Sequence, residues 1–324
     1  MTSRIGRPRK VLAVLDTGSS RLALDSAAAL AEKHEADLEA IICVEPPRDT
    51  AIIARLSGHD PKELISELIE SARTAAQQQL STAHGNLAIE PHVAVGKPFL
   101  EIIRHVADRE CDFVVKKAEA LSATDRFLFS STDQHLLRKC PCPVWLQVPT
   151  APVHPRRVLA AVDLDVWDAE EPQTLTGLNR RVIDVALSIA SGTDAEVRVL
   201  HAWEAVAEGM VWAFSRTGDA RVSADQYINE VRKAREDAMH QFLTALEEDR
   251  SRGPRILPLL KRGAPEKVIH ETSSRLDTDV VVMGTVARTG LGGLFIGNTA
   301  ENIINSLERS VLAVKPEGFV SPLL

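Results

Sequence analysis

The chain has 324 residues, of which 44% are hydrophobic and 26% charged, and it carries a net charge of −7 at pH 7. At about 150 residues per domain, that length points to two domains, each with enough apolar side chains for its own core. The acidic balance argues against a nucleic-acid coat or a basic membrane-surface protein, and no run of about 18 apolar residues offers a bilayer span. Gly6-Arg-Pro-Arg-Lys10 reads as a short solvated arm rather than a minor-groove hook. The first ten residues lack the apolar stretch of a secretory signal, so the expected location is cytoplasmic. Aromatic residues are only 4% of the chain, which leaves the cores to Ala, Val, Leu and Ile.

In chain order, Val11 to Leu15 is a short apolar run suited to a buried parallel strand. Leu22 to Lys33 has helical spacing, Leu38 to Val44 is a second strand, and Pro61 to Thr82 a polar helix. A third strand is expected over Ile89 to Val95, then a helix opened by Pro98, whose ring suits a first turn. Phe113 to Val115 and Val144 to Val148 complete five strands. The second half repeats the series: Val158 to Val162, a helix from Arg181 to Ser191, Glu196 to Ala202, a long helix from about Ser223 to Glu248, Arg255 to Lys261, a helix from Pro265, Val280 to Met283, and Val311 to Val314. Pro149-Thr-Ala-Pro-Val-His-Pro155 is a natural linker between them. The expected domains are 7–149 and 154–316. Alternating strands and helices predict parallel sheets covered on both faces.

The repeat is legible residue by residue. Lys10-Val-Leu-Ala-Val-Leu-Asp16 returns as Arg157-Val-Leu-Ala-Ala-Val-Asp163, and Thr132-Asp-Gln-His-Leu-Leu as Thr299-Ala-Glu-Asn-Ile-Ile. Asp25 and Ala31 match Asp184 and Ala190, and Gly96 matches Gly263. The second copy has therefore gained about 12 residues after its first strand and about 8 before its third, near the strand ends where open parallel sheets bind ligands.

Cys43 and Cys111 lie in apolar runs and read as small core residues. Cys140-Pro-Cys142 offers a metal or redox pair in principle, but its spacing is not Cys-x-x-Cys, so packing before the last strand is the favoured reading and no metal is expected.

The run Gly284-Thr-Val-Ala-Arg-Thr-Gly290-Leu-Gly-Gly-Leu-Phe-Ile-Gly297-Asn-Thr-Ala-Glu301 follows a strand and leads into a helix. Glycines there let backbone N–H groups approach an anion, with the helix dipole in support. With Asp279-Val-Val-Val-Met-Gly-Thr before it and Val-Leu-Ala-Val-Lys-Pro at the end, the chain resembles the universal stress protein family, whose nucleotide-binding members carry Gly-x2-Gly-x9-Gly-(Ser/Thr). Two tandem copies and Thr132-Asp-Gln-His-Leu-Leu-Arg-Lys-Cys-Pro-Cys-Pro-Val-Trp145 resemble its E-type members in particular.

That resemblance implies two tandem doubly wound parallel five-stranded α/β sheets, of the adenine nucleotide alpha hydrolase-like type, pairing through Val144–Val148 and Val311–Val314 as a pseudo-dimer within one chain. It also implies a ligand site in the second copy made by Asp163, Ala202, Met283, Gly284, Arg288, Gly297, Asn298 and Thr299. Ala287 stands where the middle glycine belongs and Asn298 where Ser or Thr binds phosphate. Five carboxylates between Asp163 and Glu171 would repel a triphosphate unless a cation answers them. ATP in the second copy stays open. In the first copy, Lys117, Ala120 and Ser130 replace the glycines.

Two other ligand and role readings follow. Trp203, Trp212 and Phe214 near the ligand edge would line an apolar cleft for an amphipathic molecule, or cap the core. His201 beside Asp163 would form an acid–base pair, or be a satisfied edge histidine. No Gly-x-Ser-x-Gly, His-Glu-x-x-His or Walker motif occurs, so no catalytic residue is expected and the chain reads as a binding module for a small molecule or a protein partner. A homodimer of the whole chain is compatible with this.

Overall fold

The structure, a computed structural model, describes residues 7–18, 20–58, 60–82, 89–119, 129–192, 194–207, 210, 220–247, 253–285 and 297–324, with all their side chains save those at positions 168, 220–223, 247, 298, 299 and 305. The first half runs β1 (Lys10–Leu15), α1 (Leu22–His34), β2 (Asp37–Val44), α2 (Thr50–Ser57), α3 (Pro61–Ser81), β3 (His92–Val95), α4 (Pro98–Asp108), β4 (Phe113–Lys117), α5 (Ser131–Lys139) and β5 (Val144–Gln147). The second runs β6 (Arg157–Ala161), a 3-10 turn (Val166–Asp168), α6 (Pro172–Ile189), β7 (Glu196–Trp203), α7 (Ala220–Glu247), β8 (Arg255–Arg262), α8 (Pro265–Arg275), β9 (Val280–Gly284), α9 (Asn298–Ser306) and β10 (Ser310–Val314).

Proline opens four of these helices, at Pro61, Pro98, Pro172 and Pro265, where the missing N–H is not needed. Gly96 and Gly263 precede α4 and α8 at φ 150° and 136°, a conformation that leaves no comfortable place for a Cβ. Each half starts on one aspartate: Asp112 accepts the N–H groups of Arg9 and Lys10, and Asp279 those of Arg156 and Arg157. Two elements differ from expectation. The short α2 was not anticipated, because Ala54 is its one buried residue and helical spacing has no core face to reveal. And α6 begins at Pro172 rather than Arg181, so half of the inserted segment is helix.

The ten strands form one sheet in the order β3-β2-β1-β4-β5-β10-β9-β6-β7-β8. All neighbours are parallel except β5 and β10, which pair antiparallel with Leu146 opposite Val311, Trp145 opposite Leu312 and Val144 opposite Ala313. Two five-stranded sheets thus join edge to edge through their last strands, and the join removes an exposed edge from each. One core lies under α1, α3, α6 and α7, the other under α4, α5, α8 and α9, and both run across the seam.

Side chains fasten the seam on each face. Lys33 Nζ donates to the carbonyls of Ser188 (2.8 Å) and Ala190 (2.6 Å), so the last turn of α1 supplies cationic donors to the last carbonyls of α6. On the other face, Arg138 of α5 is ion-paired with Glu301 of α9. Gln147 of β5, fully buried, donates to Ser26 Oγ of α1 at 2.8 Å. Among the described residues, no helix is long and apolar enough to cross a membrane.

Candidate functional site

The ends of β1 and β4 face one another in the first half, as those of β6 and β9 do in the second. In the first half this edge is filled by the chain's own charges. Lys117, at the position of Gly284, forms an ion pair with Asp16, the counterpart of Asp163. Gln79 of α3 donates to the carbonyls of Asp16 (2.7 Å) and Gly18 (3.0 Å), pinning the turn after β1.

Beside it, the buried Lys116 donates to Asp133 Oδ1 (2.9 Å), Glu119 Oε1 (2.6 Å) and the carbonyl of Lys117 (3.1 Å). Burial works against that ammonium, but Asp133 and then Glu119 outweigh it and hold its pKa above the usual lysine value. Asp133 lies in the first turn of α5 and is wholly buried. Its Oδ2 accepts the N–H groups of Glu119 (3.0 Å) and Ser130 (3.2 Å). A carboxylate held by backbone N–H groups at a helix N-terminus, with a lysine on its other side, has the partners an anionic ligand would seek there. The first half carries that anion within its own sequence.

The second half has none of these groups. Met283 stands for Lys116, Gly284 for Lys117 and Ala300 for Asp133. α9 starts at Gly297, which has no side chain to cap it, whereas α5 is capped reciprocally by Ser130 and Asp133. Neither Gly284 nor Gly297 uses the left-handed region; Gly297 sits at φ −59°. What Gly284 provides is room: a Cβ there would lie 2.7 Å from Leu178 Cδ2 of α6. Leu178 is buried and comes from the insertion-bearing helix, so the glycine serves packing on that side.

The acidic turn after β6 is ordered by its own contacts. Asp163 and Asn179 exchange two hydrogen bonds, N–H to Oδ1 at 3.0 Å and Nδ2 to the carbonyl at 2.5 Å, and Asp163 Oδ1 accepts the N–H of Asp165 at 3.2 Å. His201 is buried at 1% exposure, and its Nε2 lies 3.5 Å from Asp165 Oδ1; the N–H of Leu164 points at its Nδ1 at 3.4 Å. Of the two readings, acid–base pair or edge histidine, the contacts place His201 inside the strand and under the turn, in ion-contact range of Asp165 and beside the backbone of Val162 and Leu164.

Arg235 of α7 supplies the missing cation. Its Nε lies 3.0 Å from Asp165 Oδ1, an ion contact, and its guanidinium lies 4.5 Å from the centre of the Trp167 ring, which is half exposed. Sequence reasoning missed Arg235 because nothing local marks one arginine of a long polar helix. Lys315, just past β10, is a second missed cation. It donates to Thr285 Oγ1 at 2.6 Å, and burial pushes its amine down to about 7, with Cys140 pulling the other way.

Of the expected site residues, Asp163, Met283, Gly284 and Gly297 stand at the strand ends or the start of α9. Ala202 lies within β7, which continues through Trp203, and turns to the face opposite His201. Asn298 and Thr299 open α9. Trp203 is buried at 4% exposure and packs as a core residue. Arg288, Ala287, Trp212 and Phe214 lie outside the described residues.

A family model described as the universal stress protein family matches residues 8–148 and again 156–315. The chain is 28% identical over 272 residues to universal stress protein E of Escherichia coli K12, covering 83% of this chain and 82% of that protein. It is 27% identical over 269 residues to the universal stress protein E homolog of Haemophilus influenzae, covering 81% and 82%. A crystal structure of a functionally unknown Pseudomonas aeruginosa protein shares the fold at TM-score 0.67 and 24% identity, over 98% of this chain and 96% of that one. A universal stress protein from Archaeoglobus fulgidus superposes at TM-score 0.51 and 15% identity, over 95% and 98%. The chain belongs to the universal stress protein family, carrying its domain twice in tandem.

Proposed function

We propose that this is a stress-response protein that binds a small ligand or a protein partner without turning it over, with the binding site at the strand ends of the second half. The single observation that carries this reading is the asymmetry at the two edges. Lys117, Lys116 and Asp133 fill the first with mutually satisfied charges, while Gly284, Met283 and Ala300 stand at the same places in the second. Asp163, Ala202, Met283, Gly284, Gly297, Asn298 and Thr299, with Arg288, would contact the ligand. The first half then acts as a fixed partner whose linker keeps the second half paired.

A second reading, an ATP-binding switch with weak hydrolysis, is favoured by the start of α9, where Gly297 leaves the helix N-terminus without a side-chain cap. An amphipathic ligand is the third class, using Trp212 and Phe214. Thermal unfolding with Mg-ATP and with a medium-chain fatty acid separates them. A rise with ATP that is lost in Asp163→Ala supports the switch, and a rise with the fatty acid alone supports the apolar ligand. Phosphate release above that of a Gly284→Asp control overturns the non-catalytic reading.

A further inference from the structure

On the opposite edge of the first half, three side chains of different ligand chemistry converge. Glu39 of β2, His105 of α4 and Cys111 in the turn before β4 each place one ligand atom within 4.8 Å of the other two. His105 Nε2 lies 2.8 Å from Glu39 Oε2. Among the described residues this is the one place where three such groups meet. His92 of β3 stands next to them, its ring centre 4.8 Å from that of His105. An open cavity of about 630 Å³, lined by Glu39, His92 and His105, gives solvent a way in.

We propose that Glu39, His105 and Cys111 form a binding site for a zinc-class divalent cation, with His92 beside it. Thiolate, imidazole and carboxylate together are the donor set of borderline-soft metals rather than of calcium or magnesium, and zinc accepts three protein donors with a fourth tetrahedral position left for water or another ligand. Cys111 and His105 are buried and Glu39 mostly so, which places the donors on rigid elements at the end of the sheet. The second half provides an internal control, because Arg198, Thr272, Thr278 and Leu259 occupy the matching positions. A shared structural need would have left similar residues in both.

Two cations approach Glu39: Arg109 at 3.3 Å and Lys10 at 3.8 Å. The Arg109 side chain is 61% exposed, so it swings into solvent when a metal replaces it on the carboxylate. Its presence makes a distinctive prediction, since Arg109→Gln removes a competitor and strengthens metal binding.

Cobalt(II) titration of the reduced full chain tests the site, because a cobalt–thiolate bond gives a charge-transfer band in the near ultraviolet. At one equivalent the band appears and zinc(II) abolishes it. It is absent in Cys111→Ser and kept in a Cys140→Ser/Cys142→Ser chain. His105→Gln keeps Cys111 but lowers affinity by on the order of tenfold or more, and Arg109→Gln raises it. No band at one equivalent, or a band that survives Cys111→Ser, overturns the proposal.

Discussion

Lys117 reaches across from the end of β4 to form an ion pair with Asp16 at the end of β1, and Gly284 and Asp163 occupy those same two places in the second half. One exchange of lysine for glycine therefore removes the ion pair that closes the first edge. The closed edge is also held from inside by the Lys116–Asp133 pair.

That buried pair gives the first prediction. Lys116→Met strands the wholly buried Asp133 carboxylate and costs about 3–5 kcal/mol, as breaking buried pairs generally does. Lys116→Met/Asp133→Ala, which copies the second half, recovers most of the loss. Urea unfolding of the three chains checks it; a double variant no better than the single one contradicts the pairing.

Packing at Gly284 gives the second. Gly284→Ala puts a methyl 2.7 Å from Leu178 Cδ2 and destabilises by about 1–3 kcal/mol. Adding Leu178→Ala makes the combined loss smaller than the sum of the two single losses. If Gly284→Ala leaves the melting temperature unchanged, the glycine has no packing role.

Lys315 gives the third, through pH. Its folded-state pKa is about 7 against an ordinary 10.5, driven by burial. Between those values the unfolded chain binds a proton that the native chain does not, so this residue's contribution to stability rises with pH across that window. Below about 7 both states hold the proton and the native state bears the full cost of a buried ammonium. Lys315→Met should therefore stabilise the chain most at about pH 6 and flatten its stability gain towards about pH 9. Denaturation midpoints at both pH values decide it, and an unchanged slope in the variant refutes the assignment.

Much of the fold was legible because it is written twice. Most strands are short apolar runs, and the match of Lys10–Asp16 to Arg157–Asp163 aligns the two halves before any helix is placed. The join through the two last strands followed from the family resemblance, and the structure shows it as the antiparallel pairing of β5 with β10. The site was less so. Arg235 lies about 70 residues from Asp165, and only the fold brings them together. Alternation along β7 sends His201 and Ala202 to opposite faces, and the strand continues through Trp203, one residue beyond the expected end at Ala202. The network of Lys116 was hidden for another reason: a lysine within Phe113-Val-Val-Lys-Lys117 reads as a strand end, and nothing local says that Asp133 will neutralise it.

The central claim, one ligand edge in the second half and none in the first, is tested most directly by native mass spectrometry of the chain purified from cells, alongside Asp163→Asn and Asp16→Asn. One retained equivalent in the wild type, lost in Asp163→Asn and kept in Asp16→Asn, is the predicted result. Two equivalents, or one that disappears with Asp16→Asn and survives Asp163→Asn, would contradict it.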